Sequence, residues 1–151
     1  FNLAQCYMDG IGIKENIEKA VFWFKKAAEN GDPMAQHRLG KLYACGTGVE
    51  KNIEKSAELF RKSAEQGNPD AQLLFGCYLY KERGIKQDKA RGVQWIKKSA
   101  ERGNSQAQYL CGLFAQYDKN SEAALRWFKK SAAQGNEGAI KALKELGEEL
   151  K

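Results

Sequence analysis

The sequence predicts an all-α solenoid built from helix-turn-helix repeats of about 36 residues. Three observations predict this fold. One block of sequence occurs four times, the apolar residues inside each block follow the period of a helix, and similar helix-ending residues close every block. No stretch shows the period of two that a half-buried strand requires. Repetition at this length is typical of stacked helical units.

The repeated block is clearest in the second half of each unit. Its four copies are FWFKKAAENGDPMAQ (22–36), ELFRKSAEQGNPDAQ (58–72), QWIKKSAERGNSQAQ (94–108) and RWFKKSAAQGNEGAI (126–140). Gly31, Gly67 and Gly103 keep a constant step of 36 residues, whereas Gly135 follows only 32 residues later. The last full unit is therefore shorter than the others by four residues.

Each unit contains a first and a second helix. In the first helix of the second unit, the apolar residues fall at positions i, i+4, i+7 and i+8, which is one face of a helix; these are Ala35, Leu39, Leu42 and Tyr43. The second helix of the first unit shows a comparable stripe, made by Ile17, Ala20, Val21, Phe24, Ala27 and Ala28. Glycines inside the first helices, such as Gly40, predict close approach of the paired helix, because they otherwise cost about 1 kcal/mol.

The unit boundaries carry residues that end one helix and begin the next. A glycine follows each second helix, where a left-handed residue ends a helix at least cost. The next residue is an N-cap type in every unit, namely Asp32, Asn68, Asn104 and Asn136. Pro33 and Pro69 then stand at the first helical position, where the missing N–H costs nothing.

The stretch YACGTGVEKN at 43–52 contains a Gly-x-Gly that resembles a phosphate-binding loop. Such a loop follows a strand and opens a helix, whereas this one joins two helices and has a counterpart at 7–16. We therefore expect Gly46 and Gly48 to take positive φ at a corner between helices. Val49 or its counterpart Ile13 is expected to cover that corner.

With these features, the pattern resembles the Sel-1-like repeat, a tetratricopeptide-like family. The best copy consists of Ala35, Leu39, Gly40, Tyr43, Gly46, Gly48 and Val49, followed by Phe60, Lys62, Ala64 and Gly67. The third unit departs from it with Glu82-Arg83-Gly84, and the fourth has lost the corner. The resemblance implies a right-handed α/α superhelical solenoid of about nine helices, with the first helices lining a concave side that holds a protein or peptide.

We expect a single domain over residues 1–151. It would consist of a partial repeat at 1–31, full repeats at 32–67, 68–103 and 104–135, and a C-terminal capping helix at 136–151. The capping helix keeps Ala139 and Leu143 for the core. It then turns charged, as the polar outer face of a solenoid end requires, with Lys144, Glu145, Glu148, Glu149 and Lys151.

Composition and motifs argue against several function classes. The net charge is +6, but acidic and basic residues interleave along the chain. This pattern indicates a solvated surface rather than a charged tail that binds nucleic acid. The sole histidine, His37, and four dispersed cysteines form no zinc spacing, so we expect no metal and no cofactor. Neither Ser-x-x-Lys nor Lys-Thr-Gly occurs, and we expect no enzyme. A hydrolase of the β-lactamase-like or cell-wall type stays as an alternative function.

The cysteines and the N-terminal residues bear on location. The cysteines share no repeat register and are expected to be small, mostly buried side chains without a disulfide ladder, which favours a reducing compartment such as the cytoplasm. The first residues do not resemble a signal peptide, and no apolar run is long enough for a membrane span. A periplasmic or secreted location would need a signal peptide upstream of Phe1.

Two other groups of residues have both a functional and a structural interpretation. Phe24, Phe60, Ile96 and Phe128 occupy one repeat position, where the isoleucine indicates a need for bulk rather than for stacking on bases. A basic stripe offers an alternative site for nucleic acid or an anionic surface, although Glu29, Glu65 and Glu101 partly neutralise it. The stripe consists of Lys25, Lys26, Arg61, Lys62, Lys97, Lys98, Lys129 and Lys130.

The candidate partner-binding residues lie at non-core positions of the first helices. They are His37, Lys41, Leu73, Cys77, Tyr80, Tyr109 and Leu113. Tyr80 and Tyr109 are expected to be aromatic anchors. His37, expected on the helix surface, and Lys41 would be polar selectors, with Lys41 meeting a carboxylate. The same apolar residues could instead pack between neighbouring units, and the sequence leaves both interpretations open.

Overall fold

The computed structural model describes residues 1–10 and 16–147. Across these residues the chain forms nine α-helices and no strand, which confirms the predicted all-α solenoid. The helices are α1 (Asn2–Asp9), α2 (Ile17–Glu29), α3 (Pro33–Cys45), α4 (Ile53–Glu65), α5 (Pro69–Lys81), α6 (Lys89–Glu101), α7 (Ser105–Tyr117), α8 (Ser121–Ala132) and α9 (Glu137–Glu145).

Every helix packs against the helices that precede and follow it in sequence. The pairs α1–α2, α3–α4, α5–α6 and α7–α8 are the first and second helices of the four units, and α9 follows as the last element. Because the first helices alternate with the second ones, they share one side of the stack. The grooves between successive first helices are the surfaces that matter for the site described below.

Asparagine or aspartate caps the start of every helix from α2 to α9. In each case the side-chain oxygen accepts a hydrogen bond from the backbone N–H three residues ahead. The four predicted caps are confirmed, and so is the position of Pro33 and Pro69 in the first turn. Sequence analysis missed the caps of the second helices, which are Asn16, Asn52, Asp88 and Asn120. Each cap is worth about 1 kcal/mol.

The Gly-x-Gly corner has the predicted backbone. Gly46 and Gly48 take φ values of 78° and 67°, and a Cβ on Gly48 would collide with the side chain of Ile17. In the third unit Glu82 occupies the place of Gly46 with a φ of 56°, a left-handed conformation that is costly for a residue with a Cβ. Val49 is half-buried, and its counterpart Ile13 lies outside the described residues.

The core runs between the paired helices. Phe24, Phe60, Ile96 and Phe128 are 0–1% exposed, which confirms their assignment to the core rather than to a stacking surface. A Cβ on Gly40 would lie 2.8 Å from the ring of Phe60, so the glycine does permit close helix approach. The predicted stripe of α2 is wrong for Ile17, which is 37% exposed at the first position of that helix.

Buried glutamines link each unit to the one before it. The Nε2 of Gln36, Gln72 and Gln108 donates to the carbonyl of Ala28, Ala64 and Ala100, at 3.1–3.2 Å. In two of these junctions a second glutamine completes the pair, because Gln66 donates to Gln36 Oε1 and Gln134 donates to Gln108 Oε1, both at 2.8 Å. We call this arrangement the glutamine clasp.

The clasp is incomplete at the junction of the second and third units. Arg102 stands where the other junctions have Gln66 or Gln134, and Gln72 Oε1 is buried without a hydrogen-bond partner. An unpaired buried acceptor costs free energy.

Helix α9 ends the described part of the stack. Ala139 and Leu143 are 0–1% exposed, whereas Lys141 and Glu145 are exposed and pair at 3.9 Å. This gives α9 the apolar inner face and the charged outer face that suit a terminal helix. The further charges expected in the capping segment, Glu148, Glu149 and Lys151, lie outside the described residues.

Candidate partner-binding groove

One repeat position on the first helices determines whether the groove beside it is filled. In three units this position holds a ring that meets the core ring of the second helix. The ring centroids are 5.9 Å apart for Phe1 and Phe24, 6.0 Å for His37 and Phe60, and 5.9 Å for Tyr109 and Phe128. In the third unit the two equivalent residues are aliphatic, since Leu73 packs on the core cluster that contains Ile96. These two side chains fill less of the space between the helices.

An open groove lies at this place, between α5 and α7. It has a volume of about 360 Å³. Its walls are mainly apolar and are made by Leu73, Leu74, Cys77, Tyr80, Lys81, Ile96, Gln106, Leu110 and Phe114. We call it the α5–α7 groove. Its size lies at the lower end of the roughly 300–1,000 Å³ of typical ligand pockets, and its lining suits an apolar side chain.

Aromatic rings form one end of the α5–α7 groove. Tyr80 and Phe114 face each other across it with centroids 5.7 Å apart. Lys89 Nζ lies 5.8 Å from the Tyr80 ring centroid, and Gln87 Nε2 donates to the Tyr80 carbonyl at 3.0 Å. The ring of Tyr80 thus lies between Phe114 and Lys89 and is half-buried.

The same end of the groove is positively charged. Burial raises the pKa of the Cys77 thiol, and the positive charges of Lys81 and Arg83 oppose that rise. Lys81 and Arg83 are both exposed, and within the described residues neither forms an ion pair. The one charged side chain in the lining is Lys81, so the groove favours a negative group at this end.

His37 lies under the surface, and the expectation of a helix-surface residue is wrong. It is 6% exposed, because its ring packs against Phe60 in the place that Leu73 occupies one unit later. Burial lowers the pKa of His37 to about 4, opposed by the negative charge of Asp70 and reinforced by Lys41 and Arg38. Nδ1 of the ring has no hydrogen-bond partner. By contrast, Lys41 is exposed.

The groove between α3 and α5 is filled by rings. Tyr78 is 5% exposed and meets Phe60 edge-on, with centroids 5.3 Å apart. Its hydroxyl is 3.1 Å from Ser56 Oγ. The equivalent residue one unit later is Phe114, which lines the open groove, so the two grooves differ at the position where one has the ring of His37 and the other has Leu73.

The groove between α7 and α9 is filled by Tyr109. A Cβ on Gly138 would lie 2.9 Å from Cζ of the Tyr109 ring, so the glycine makes room for the ring against α9. Both Tyr109 and Leu113 pack on the core cluster of α8 and α9. They are separated from Tyr80, which belongs to the preceding groove.

The structure therefore brings together three of the seven predicted site residues, Leu73, Cys77 and Tyr80. Sequence analysis did not include Lys81, Ile96 or Phe114 in the candidate site. A usable signal was present, because Leu73 and Ile96 are the one facing pair in which neither residue carries a ring. The isoleucine satisfies the need for bulk at this position, and the space that it leaves beside Leu73 is not evident from the sequence.

All four cysteines are free thiols. Cys111 is buried, as expected, and burial raises its pKa to about 11. Cys45 is exposed and Cys6 and Cys77 are half-buried, so the expectation of mostly buried cysteines is wrong. The exposed thiol follows from its place at the end of α3, beside the Gly-x-Gly corner.

The basic stripe is partly occupied by neighbouring side chains. Arg61 pairs with Glu65 at 2.9 Å and Lys62 with Glu58 at 2.8 Å, whereas Lys98 lies over the ring of Trp95 at 4.4 Å. Contacts of this kind reduce the charge that is available to an anionic partner. Within residues 1–10 and 16–147, no cluster of potential metal ligands occurs. The same residues include no helix with the length and apolar character needed to cross a bilayer.

The Sel1 repeat matches the chain four times, at residues 1–32, 33–68, 69–104 and 105–136. In structure, the chain is similar to a Sel1 repeat protein from Oxalobacter formigenes, with 35% identity and a TM-score of 0.87 over 95% of this chain and 60% of that one. A protective antigen of uropathogenic Escherichia coli with an SLR fold gives 34% identity and a TM-score of 0.88, over 96% and 32% of the two chains.

A more distant similarity is to cysteine rich protein B of Helicobacter pylori, with 25% identity and a TM-score of 0.59 over 61% of this chain and 69% of that one. No curated protein sequence is significantly similar to the chain. The chain spans less than two thirds of the Oxalobacter and Escherichia coli proteins.

Proposed function

Because the chain belongs to the Sel1 repeat family, whose members are typically protein–protein interaction scaffolds and generally not enzymes, we propose that it binds a segment of a partner protein in the α5–α7 groove. The observation that carries this proposal is the replacement of a facing ring pair by Leu73 and Ile96, beside which the groove stays open. In the neighbouring units, the rings of His37 and Tyr109 occupy the position of Leu73 and meet a core ring of the second helix.

The energetic reason for docking is burial of apolar surface. A large apolar side chain that enters the groove removes about 150 Å² from water, which at about 25 cal/mol per Å² contributes roughly 4 kcal/mol. Ordering of the bound segment offsets part of this gain. A single anchor of this kind supports only about millimolar binding, so tighter binding needs further contacts along the first helices.

The remaining predicted residues fit this proposal unequally. Lys41 is exposed on α3, one unit before Cys77, and is proposed as an outer contact for a longer segment. Tyr109 and Leu113 pack against α8 and α9, and burial of His37 supports a packing role. The proposed site is thus narrower than the sequence prediction, and centres on Leu73, Cys77 and Tyr80.

The experiment compares two tryptophan variants of the same unit. Cys77→Trp places a large side chain inside the groove, and Gln94→Trp places the same side chain on the exposed surface of α6. Peptides selected from a random phage-displayed library on the unmodified chain are measured against both variants by fluorescence anisotropy. We expect Cys77→Trp to weaken binding at least tenfold and Gln94→Trp to leave it unchanged.

Thermal melting of both variants shows whether the fold is retained. Equal binding of every selected peptide to the unmodified chain and to a folded Cys77→Trp variant would contradict the proposal. So would a library that yields no peptide at all. If binding is instead lost in Lys129→Glu/Lys130→Glu and falls steeply with salt, the basic stripe is the binding surface.

A further inference from the structure

We infer that the partner segment places an apolar side chain in the α5–α7 groove and a carboxylate two or three residues away, against Lys81 and Arg83. This inference rests on the proposed function and adds to it the chemistry and direction of the bound segment. It follows from the asymmetry of the groove, which is apolar along most of its length and cationic at one end.

The register of α5 determines the direction. Leu73, Cys77 and Lys81 are spaced four residues apart, so they follow one another along one face of the helix. All three line the groove. With a rise of 1.5 Å per residue, the Cα of Lys81 lies about 6 Å beyond that of Cys77. The apolar wall therefore runs directly into the ammonium group.

The charges at the two ends of the groove differ. Lys81 and Arg83 are exposed and, among the described residues, have no ion-pair partner. Their positive charges reach the Cys77 thiol inside the groove. The nearest acidic residues in sequence are Glu82 and Asp88. The Asp88 carboxylate is already engaged, because it accepts the N-cap hydrogen bond of Arg91.

At the other end, the groove is neutral. Gln106 lines it there, at the start of α7. The Asp70 carboxylate, at the start of α5, accepts a hydrogen bond from Asn104 Nδ2 at 2.7 Å and is thus engaged within the protein. A segment with an acidic residue is therefore attracted electrostatically to the Lys81 end and meets no comparable cation at the Gln106 end.

The separation between anchor and carboxylate follows from chain geometry. An extended segment rises about 3.3 Å per residue, so two or three residues span the 6–10 Å from the middle of the groove to the cationic end. The expected pattern is an apolar residue with Asp or Glu two or three positions away.

The test uses the charge-reversed variant Lys81→Glu/Arg83→Glu, in which both changes fall on exposed side chains. Random peptides are selected separately on the unmodified chain and on this variant, and the enriched residues around the apolar anchor are compared. We expect Asp or Glu on the unmodified chain and Lys or Arg on the variant. Replacing the acidic residue of a selected peptide by Gln or Asn should weaken binding to the unmodified chain by about two- to fivefold.

The outcomes separate this inference from the proposed function. Peptides that need an open groove, as judged with Cys77→Trp, but show no acidic preference would overturn the inference and leave the proposed function in place. Peptides that bind the Cys77→Trp variant as tightly as the unmodified chain would overturn both the inference and the proposed function. Acidic peptides without an apolar anchor would also overturn the inference, because the cations would then act without the groove. Melting of the charge-reversed variant controls for loss of fold.

Discussion

The α5–α7 groove and the groove between α7 and α9 are built from the same repeat positions, yet one is open and the other is filled. Leu73 and Tyr109 occupy equivalent places on their helices, facing Ile96 and Phe128 respectively. In the second groove the Tyr109 ring extends over Gly138; in the first, Gln106 takes the glycine's place at the rim. The comparison teaches that the role of a repeat position depends on its facing partners, not on its register alone.

The largest difference should appear when each of the two residues is truncated. Tyr109→Ala removes a ring that packs on Phe128 and covers Gly138, and is expected to lower the free energy of unfolding by about 3 kcal/mol. Leu73→Ala is expected to cost only about 1 kcal/mol, because Leu73 already borders open space. Urea unfolding of both variants measures the difference. Equal losses would show that Leu73 is an ordinary core residue and would remove the contrast between the grooves.

The groove between α3 and α5 is filled partly by a residue that titrates. His37 has its pKa lowered from 6.5 to about 4, so between these pH values the unfolded chain binds a proton that the folded chain does not. The free energy of unfolding should therefore fall as the pH decreases from 6.5 to 4. A full shift corresponds to about 3 kcal/mol, which relaxation of the site in acid reduces to about 2 kcal/mol.

His37→Leu is the matched control, because leucine stands at the equivalent position in the third unit. The difference in pH dependence between the two proteins isolates the histidine from the carboxylates, which also lose stability in acid. Since His37 is the sole histidine, its imidazole signal can be followed directly by NMR. A measured pKa near or above 6.5 would show that burial does not control the ring.

The α5–α7 groove can be closed by giving it the residues found in the groove between α7 and α9. The double variant Leu73→Tyr/Ile96→Phe gives the third unit the ring pair of the fourth unit. We expect it to bind the selected peptides at least tenfold more weakly while its melting temperature stays the same or rises. Anisotropy and thermal melting measure the two effects. Unchanged binding by the folded double variant would mean that peptides dock elsewhere.

The smallest effect concerns the glutamine clasp, which is incomplete in the unit that contains the open groove. Arg102→Gln should let the new amide donate to Gln72 Oε1, as Gln66 does to Gln36, and raise the free energy of unfolding by about 1 kcal/mol. The reverse change, Gln66→Arg, should lower it by a similar amount, because Gln36 Oε1 loses its donor. Urea unfolding measures both. If Arg102→Gln has no effect, Gln72 Oε1 is already satisfied by water.

Most of the fold could be predicted from the sequence because its determinants are local and repeated. The period of the apolar residues, the caps after the glycines and the corner at Gly46 and Gly48 each depend on a few adjacent residues, and several copies reinforce them. Glu82 departs from the pattern, yet its backbone keeps the left-handed conformation of the corner.

The site was predicted less well because it depends on residues far apart in sequence. Whether Tyr109 binds a partner or fills a groove depends on Gly138, and the openness near Leu73 depends on Ile96. The burial of His37 likewise follows from the packing of its ring against Phe60, which lies on the next helix. Alignment of the repeats identifies which positions are equivalent, but not how much space the facing side chains leave.

The clasps and the hydrogen bonds from Ser63, Ser99 and Ser131 to carbonyls of the preceding helix have a mechanical consequence. None of the side-chain hydrogen bonds among the described residues joins positions more than 34 residues apart, so no bond of this kind ties α1 to α9. A pulling force applied at the two ends would pass through every junction in series. The stack would then separate first at its weakest junction. The junction of the second and third units, where Gln72 Oε1 has no hydrogen-bond partner, is the expected place.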